Sequence, residues 1–209
     1  MSDVTAPETT RTPAQALDDL IAGNERFVAG VSVHPNQDAA RRATLVDAQA
    51  PKAVLFGCSD SRLAAEIIFD QGLGDLFVVR TAGHVVGREV LGSIEYAVSV
   101  LRTPLIIVLG HNSCGAVQAA READATGTYP TGHLRAVVDA LVPSVELSAA
   151  RGVTDVDGIV DVHIQSTVDQ LRANSATLAA AVYAGTCAIV GMSYQLDAGR
   201  ARMVTPDPR

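Results

Sequence analysis

The 209-residue chain has no tryptophan, so no indole is available to any binding pocket. It has only three cysteines, an odd number set far apart, which does not suggest a disulfide framework. Thiols kept reduced in a cytoplasm and free to bind a metal are the simpler reading. Basic residues are outnumbered, 16 against 23 acidic ones, for a net charge of −7. That balance argues against a nucleic-acid or anionic-membrane partner and leaves room only for a local basic pocket. The most apolar stretch, Val90 to Gly110, is interrupted by Glu95, Arg102 and Pro104, so no bilayer span is expected. The first residues, Met1-Ser-Asp-Val-Thr-Ala-Pro7, hold neither a basic nor an apolar segment. No secretory signal is therefore expected, and the location is read as cytoplasmic.

Apolar residues make up 48% of the chain and charged ones 19%, a globular balance. The length favours one domain over residues 13–209, preceded by a flexible arm over residues 1–12. An N-terminal helix should open at Thr12-Pro13, since proline suits the first helical turn. Leu17, Leu20, Ile21, Asn24 and Phe27 then share one face. A short helix is expected over Ala39 to Ala48. Four apolar runs read as buried parallel strands: Ala53 to Phe56, Leu76 to Val79, Leu105 to Leu109, and Cys187 to Val190. Helices are expected over Ala64 to Phe69, Glu89 to Leu101, Ala116 to Ala123, Leu134 to Ala150, and Val156 to Ala181. A final strand near Ala201 to Val204 could pair at an edge. The alternation implies an α/β fold: a mostly parallel sheet of four strands plus an antiparallel edge strand, with helices on both faces.

The residues that carry chemistry sit at two strand ends. Cys58-Ser-Asp-Ser-Arg62 follows the first apolar run, and His111-Asn-Ser-Cys114 follows the third. Two thiols and one imidazole form a soft, tetrahedral, zinc-type donor set, and three protein ligands leave a fourth position open. If strands one and three are neighbours, Cys58 and His111 meet beyond their carboxyl ends. Cys114, three residues on, can face the same ion when the chain turns into a helix, and Gly110 and Gly115 would permit a tight turn there. Taken alone, a buried cysteine is more often a small hydrophobe; Cys187, inside an apolar run, is read that way. Ser59, Asp60 and Ser61 could cap a helix opening at Leu63. Capping does not explain Arg62, which can hold the Asp60 carboxylate bidentately and keep it ionised. Gly72-Leu-Gly-Asp-Leu-Phe77 lacks the spacing of a phosphate-binding loop and precedes a strand, so nucleotide binding is rejected.

These motifs resemble those of the β-class carbonic anhydrases. The likeness continues through Gln49-Ala-Pro51, Glu66 to Gly83, Gly92-Ser-Ile-Glu-Tyr-Ala97 and Ile189 to Leu196, and covers residues 13–205. It implies zinc-dependent, reversible hydration of carbon dioxide to bicarbonate and a proton. It also implies a homodimer, often paired into a homotetramer, embraced by the N-terminal helices. Carried over, Cys58, His111 and Cys114 bind Zn2+, and Asp60 and Arg62 form the catalytic dyad. Gln49 reaches substrate from the neighbouring subunit, and Gly115 lies at the substrate. Asp60 could alternatively become the fourth zinc ligand and switch the enzyme off in a pH-dependent way. The resemblance places Arg80 and Tyr194 in a bicarbonate-regulatory pocket, but Leu55 stands where that pocket has tryptophan, which puts the regulation in doubt. His84 reads as an ordinary loop histidine in preference to a proton relay. The competing readings are hydrolysis of carbon disulfide or carbonyl sulfide at the same site, and a non-catalytic zinc or thiol regulator.

Overall fold

The computed structural model describes residues 11–207. The expected arm over residues 1–12 therefore lies almost wholly outside the described residues. Thr12 closes a capping box with Gln15 at the start of α1 (Pro13–Val28), and Pro13 occupies its first turn. The buried face of α1 is Ala16, Leu17, Leu20, Gly23 and Asn24. Asn24 is no lapse in an apolar stripe. Its amide donates to the carbonyls of Ile68 (3.0 Å) and Gly199 (2.9 Å) and accepts from the Ala201 N–H (2.9 Å), tying distant segments to α1. Each such buried group left unpaired costs roughly 1–3 kcal/mol.

The sheet has five strands in the order β2-β1-β3-β4-β5. They are β1 (Ala53–Cys58), β2 (Leu76–Thr81), β3 (Leu105–His111), β4 (Ala188–Gln195) and β5 (Arg200–Met203). The first four are parallel and β5 runs antiparallel to β4, as the sequence led us to expect. Every residue of β1 and β3 is buried, which is why both read as unbroken apolar runs. β2, at an edge, is only half-buried. The chain leaves β1 for β2 on one side, through α3 (Ala65–Ile68), then returns by α4 (Arg88–Ser99) to β3 on the other side. The crevice of this switch point therefore opens between the carboxyl ends of β1 and β3.

Three boundaries differ from expectation in instructive ways. β1 and β3 extend to Cys58 and His111, so both donors stand on the strands themselves, not after them. The long helix expected over Val156 to Ala181 is two, α7 (Val156–Asn174) and α8 (Ala176–Tyr183). Ser175 adopts an extended backbone there, and its hydroxyl accepts from the Leu178 N–H, a cap hidden by continuing apolar periodicity. The second helix, α2 (Ala39–Thr44), ends before the expected Ala48. The remaining helices are α5 (Gly115–Thr126) and α6 (Leu134–Ala150). Among the described residues, no helix is long and apolar enough to cross a membrane.

Candidate metal centre

Each donor is fixed by the element that carries it. Cys58 pairs in register with Thr81 of β2, and the next N–H, of Ser59, donates to the Thr81 carbonyl at 2.9 Å. Arg80 braces the turn that follows: Nε donates to the Cys58 carbonyl (2.9 Å) and Nη2 to the Asp60 carbonyl (2.6 Å). His111 pairs with Tyr194 of β4, and the Leu196 N–H donates to Asn112 Oδ1 at 2.8 Å. Ser113 then takes a left-handed backbone, φ 53°, and its N–H donates to Asp157 Oδ1 at 2.8 Å. Cys114 follows as the N-cap residue of α5.

This turn corrects one expectation. Neither Gly110 nor Gly115 has a positive φ; the left-handed residue is Ser113. Gly110 is required for packing, since a Cβ there would lie 2.6 Å from Ile164 Cδ1. A Cβ on Gly115 would meet nothing within 4 Å.

The cysteine sulfurs and a ring nitrogen of His111 all lie within 4.8 Å of one another, and all three residues are buried. The His111 tautomer follows from its neighbours. Nδ1 lies 2.9 Å from the Asn112 carbonyl, which can only accept, so Nδ1 carries the hydrogen. Nε2 is left with a lone pair, buried and without a hydrogen-bond partner among the described residues. A buried imidazole lone pair beside two thiols is a metal ligand's arrangement, with the other ring nitrogen tied to a carbonyl. The Cys58 thiol is drawn down to about 4, chiefly by a hydrogen bond from Cys114 and against the effect of burial. That same bond, with burial, pushes the Cys114 thiol up. The pair thus shares a proton that a dication would displace. The donor set fits zinc.

Asp60 stands beside this cluster. Arg62 Nε donates to Oδ1 at 2.9 Å and Nη2 to Oδ2 at 2.7 Å, and the Arg62 N–H also reaches Oδ1 at 2.9 Å. The guanidinium holds the carboxyl well below the usual carboxylate range. Oδ2 lies 3.8 Å from His111 Nε2. The capping alternative is not met, because α3 opens only at Ala65, with Ala64 as N-cap and no side-chain cap.

Comparison with known proteins agrees with this geometry. Residues 53–201 match the family model for carbonic anhydrase. The chain is 56% identical to "Carbonic anhydrase 2" of Mycobacterium tuberculosis over 189 residues, 90% of this chain and 91% of that one. It is 53% identical to "Carbonic anhydrase" of Mycolicibacterium smegmatis over 191 residues, 91% and 93% of the two chains. Its fold superposes on a tetrameric β-carbonic anhydrase of Sordaria macrospora with a TM-score of 0.71 at 24% identity, covering 90% and 95%.

The chain belongs to the β-class carbonic anhydrases.

A carbonic anhydrase of this class is an enzyme, and the other expected site residues can be placed against the Cys58–His111–Cys114 cluster. Gln49 lines, with Leu45, Val46, Tyr96 and Val100, a surface cavity of about 650 Å³ that includes none of Cys58, His111 and Cys114. Arg80 and Tyr194 stand on β2 and β4, with β1 and β3 between them. The Arg80 guanidinium is engaged on backbone carbonyls, and Tyr194 is buried. Leu55 is buried in the middle of β1.

His84 is not an ordinary loop histidine. It closes a turn over Ala82–His84, is 1% exposed, and packs its ring 4.4 Å from that of His163. Neither ring nitrogen has a partner among the described residues, and burial holds it neutral, so it offers no route for a proton. Sequence reasoning missed the Gly83 N–H, which donates to Cys58 Sγ at 3.4 Å, and Asp157, which pins Ser113. A backbone N–H leaves no sequence signal, and Asp157 lies 44 residues from the turn it holds.

Proposed function

We propose that this enzyme catalyses the zinc-dependent, reversible hydration of carbon dioxide to bicarbonate and a proton. The observation that carries the reading is the unpartnered, buried Nε2 of His111 between two thiols, beside an ionised Asp60. Zinc held by Cys58, His111 and Cys114 supplies the acidity that makes water a nucleophile at neutral pH. Asp60, ionised and clamped by Arg62, can only accept, so it takes a hydrogen bond from the attacking water and aims its lone pair. Arg62 holds the carboxylate in place through that step. Gln49 acts at the partner's site in a homodimer or homotetramer. The outward position of Gln49 supports this, as do the exposed Val46, Leu73, Tyr96 and Val100 around it. Gly115, with open space where a side chain would stand, leaves room for substrate beside Cys114. Residues 13–209 act as one domain, and the buried thiols suit a cytoplasmic, reducing setting.

Asp60 also provides an on/off switch. Released by Arg62, it would close the fourth position. Because the guanidinium keeps Asp60 ionised, the pH dependence of this switch would not come from Asp60 titrating. For Arg80 the geometry favours bracing the Cys58–Asp60 turn over binding bicarbonate with Tyr194. Stopped-flow hydration against pH, with zinc measured on the same preparation, tests the reading. One zinc per chain and activity rising with pH is expected. Bound zinc with no hydration at any pH would overturn the activity; flat rates between about pH 6.5 and 9 would overturn only the switch.

A further inference from the structure

The turn that donates to Cys58 is held from the far side by two residues that neither motif contains. Gly83 (φ 62°) and His84 (φ 41°) are consecutive left-handed residues, a conformation that must be held by its surroundings. Gly83 cannot carry a side chain there: a Cβ would lie 2.9 Å from Leu141 Cδ1 and 3.1 Å from Ala116 Cβ. Its N–H donates to Cys58 Sγ at 3.4 Å, while its carbonyl lies 3.0 Å from Nε2 of His163 on α7. The carbonyl can only accept, so Nε2 carries the hydrogen. Nδ1 of His163 is then an acceptor, and the Ser144 hydroxyl on α6 donates to it at 2.8 Å. Both side chains are buried, Ser144 at 3% and His163 at 2% exposure.

We infer that His163, locked in one tautomer by Ser144, is a positioning residue for the metal centre, which holds Gly83 so that its N–H points at the Cys58 sulfur. The inference rests on the zinc reading above. A thiolate that accepts an N–H hydrogen bond gives less charge to its metal, and partners of this kind both orient a ligand and tune the ion. Burial brings the His163 pKa down to about 4, so the ring stays a neutral donor through the working range and takes no part in proton transfer. Helices α6 and α7, which carry none of the donors, thereby act on the chemistry of β1. A histidine among the apolar Ile159, Val160, Val162 and Ile164 is the one trace of this in the sequence.

Three variants of the full-length enzyme test it: His163→Leu, which removes the donor; Ser144→Ala, which removes the tautomer lock; and His163→Gln, which keeps an amide donor. Two readouts apply, zinc affinity by chelator competition and the thiolate-to-metal charge-transfer band of the cobalt-substituted protein. His163→Leu should weaken zinc binding by about 10–100-fold and shift the band. Ser144→Ala should shift both readouts less and in the same direction, and His163→Gln should return them toward wild type. A His163→Leu protein with lowered thermal stability but unchanged zinc affinity and band would show that His163 only packs. If that variant does not fold, Ser144→Ala decides, and unchanged readouts there overturn the inference. A wild-type cobalt protein without any thiolate band would instead overturn the zinc reading itself.

Discussion

Cys58, at the carboxyl end of β1, and Cys187, just before the amino end of β4, are both buried free thiols on one sheet. Their chemistry is opposite. Cys58 is drawn down to about 4, by Cys114 first and then by His111 and backbone N–H groups, while burial alone pushes Cys187 up to about 12. Among the described residues, Cys187 Sγ finds only the Ala188 carbonyl, at 3.6 Å. Burial by itself makes a thiol inert, and it takes converging donors to make a buried thiol a ligand. The carboxyl end of the sheet collects those donors because the strand order reverses there and the crevice admits loops from both sides.

The sharpest break of this contrast is Cys58→Ser against Cys187→Ser. The first should lose zinc and drop hydration to background; the second should keep one zinc per chain and wild-type rates. Metal content and stopped-flow hydration decide, and equal loss in both variants would erase the distinction between the two ends. Next in size is Asp60→Asn, which keeps the donor set but removes the ionised acceptor. It should lower kcat/KM by roughly 10²–10⁴-fold with zinc retained.

Stability against pH separates the two ends in a third way. His163 is neutral when folded, with its pKa lowered to about 4 against an ordinary 6.5, and burial lowers His84 as well. Between these values the unfolded chain binds more protons than the folded one, so stability falls as pH drops from 6.5 toward 4 and is fully present above 6.5. For His163 the loss reaches at most about 3 kcal/mol. Urea unfolding of metal-free protein across this range should show a steeper acid loss in wild type than in His163→Gln; parallel curves would count against it. The smallest effect is expected at the inert end, where Cys187→Ala should cost about 1 kcal/mol with no change in pH dependence.

Much of this was legible in the sequence, and the exceptions have physical reasons. The strand starts at Ala53 and Leu105 were readable because strands buried on both faces must be continuously apolar. The break at Ser175 was not, because a capping hydroxyl inside an apolar pattern looks like one more polar position. The meeting of Cys58, His111 and Cys114 was readable from residue type and strand-end placement. The left-handed residue of the metal turn was not, since glycine at 110 and 115 suggested itself while Ser113, pinned by Asp157, adopts that conformation. His84 looked like a loop residue because the packing of His163 over it comes from a helix far along the chain.

The sequence by itself determined the family, the residue types of the Cys58–His111–Cys114 cluster and the Asp60–Arg62 pair, because those depend on which atoms are present and, for Asp60 and Arg62, on how near they lie along the chain. Only the tertiary structure decided which nitrogen of His111 is free and that Gly83 donates to Cys58. It alone placed Gln49 in a surface cavity that Cys58, His111 and Cys114 do not line. Those properties depend on burial and on the direction of backbone N–H and C=O groups. Both are set by contacts between segments far apart in the chain, such as the 80 residues that separate Gly83 from His163.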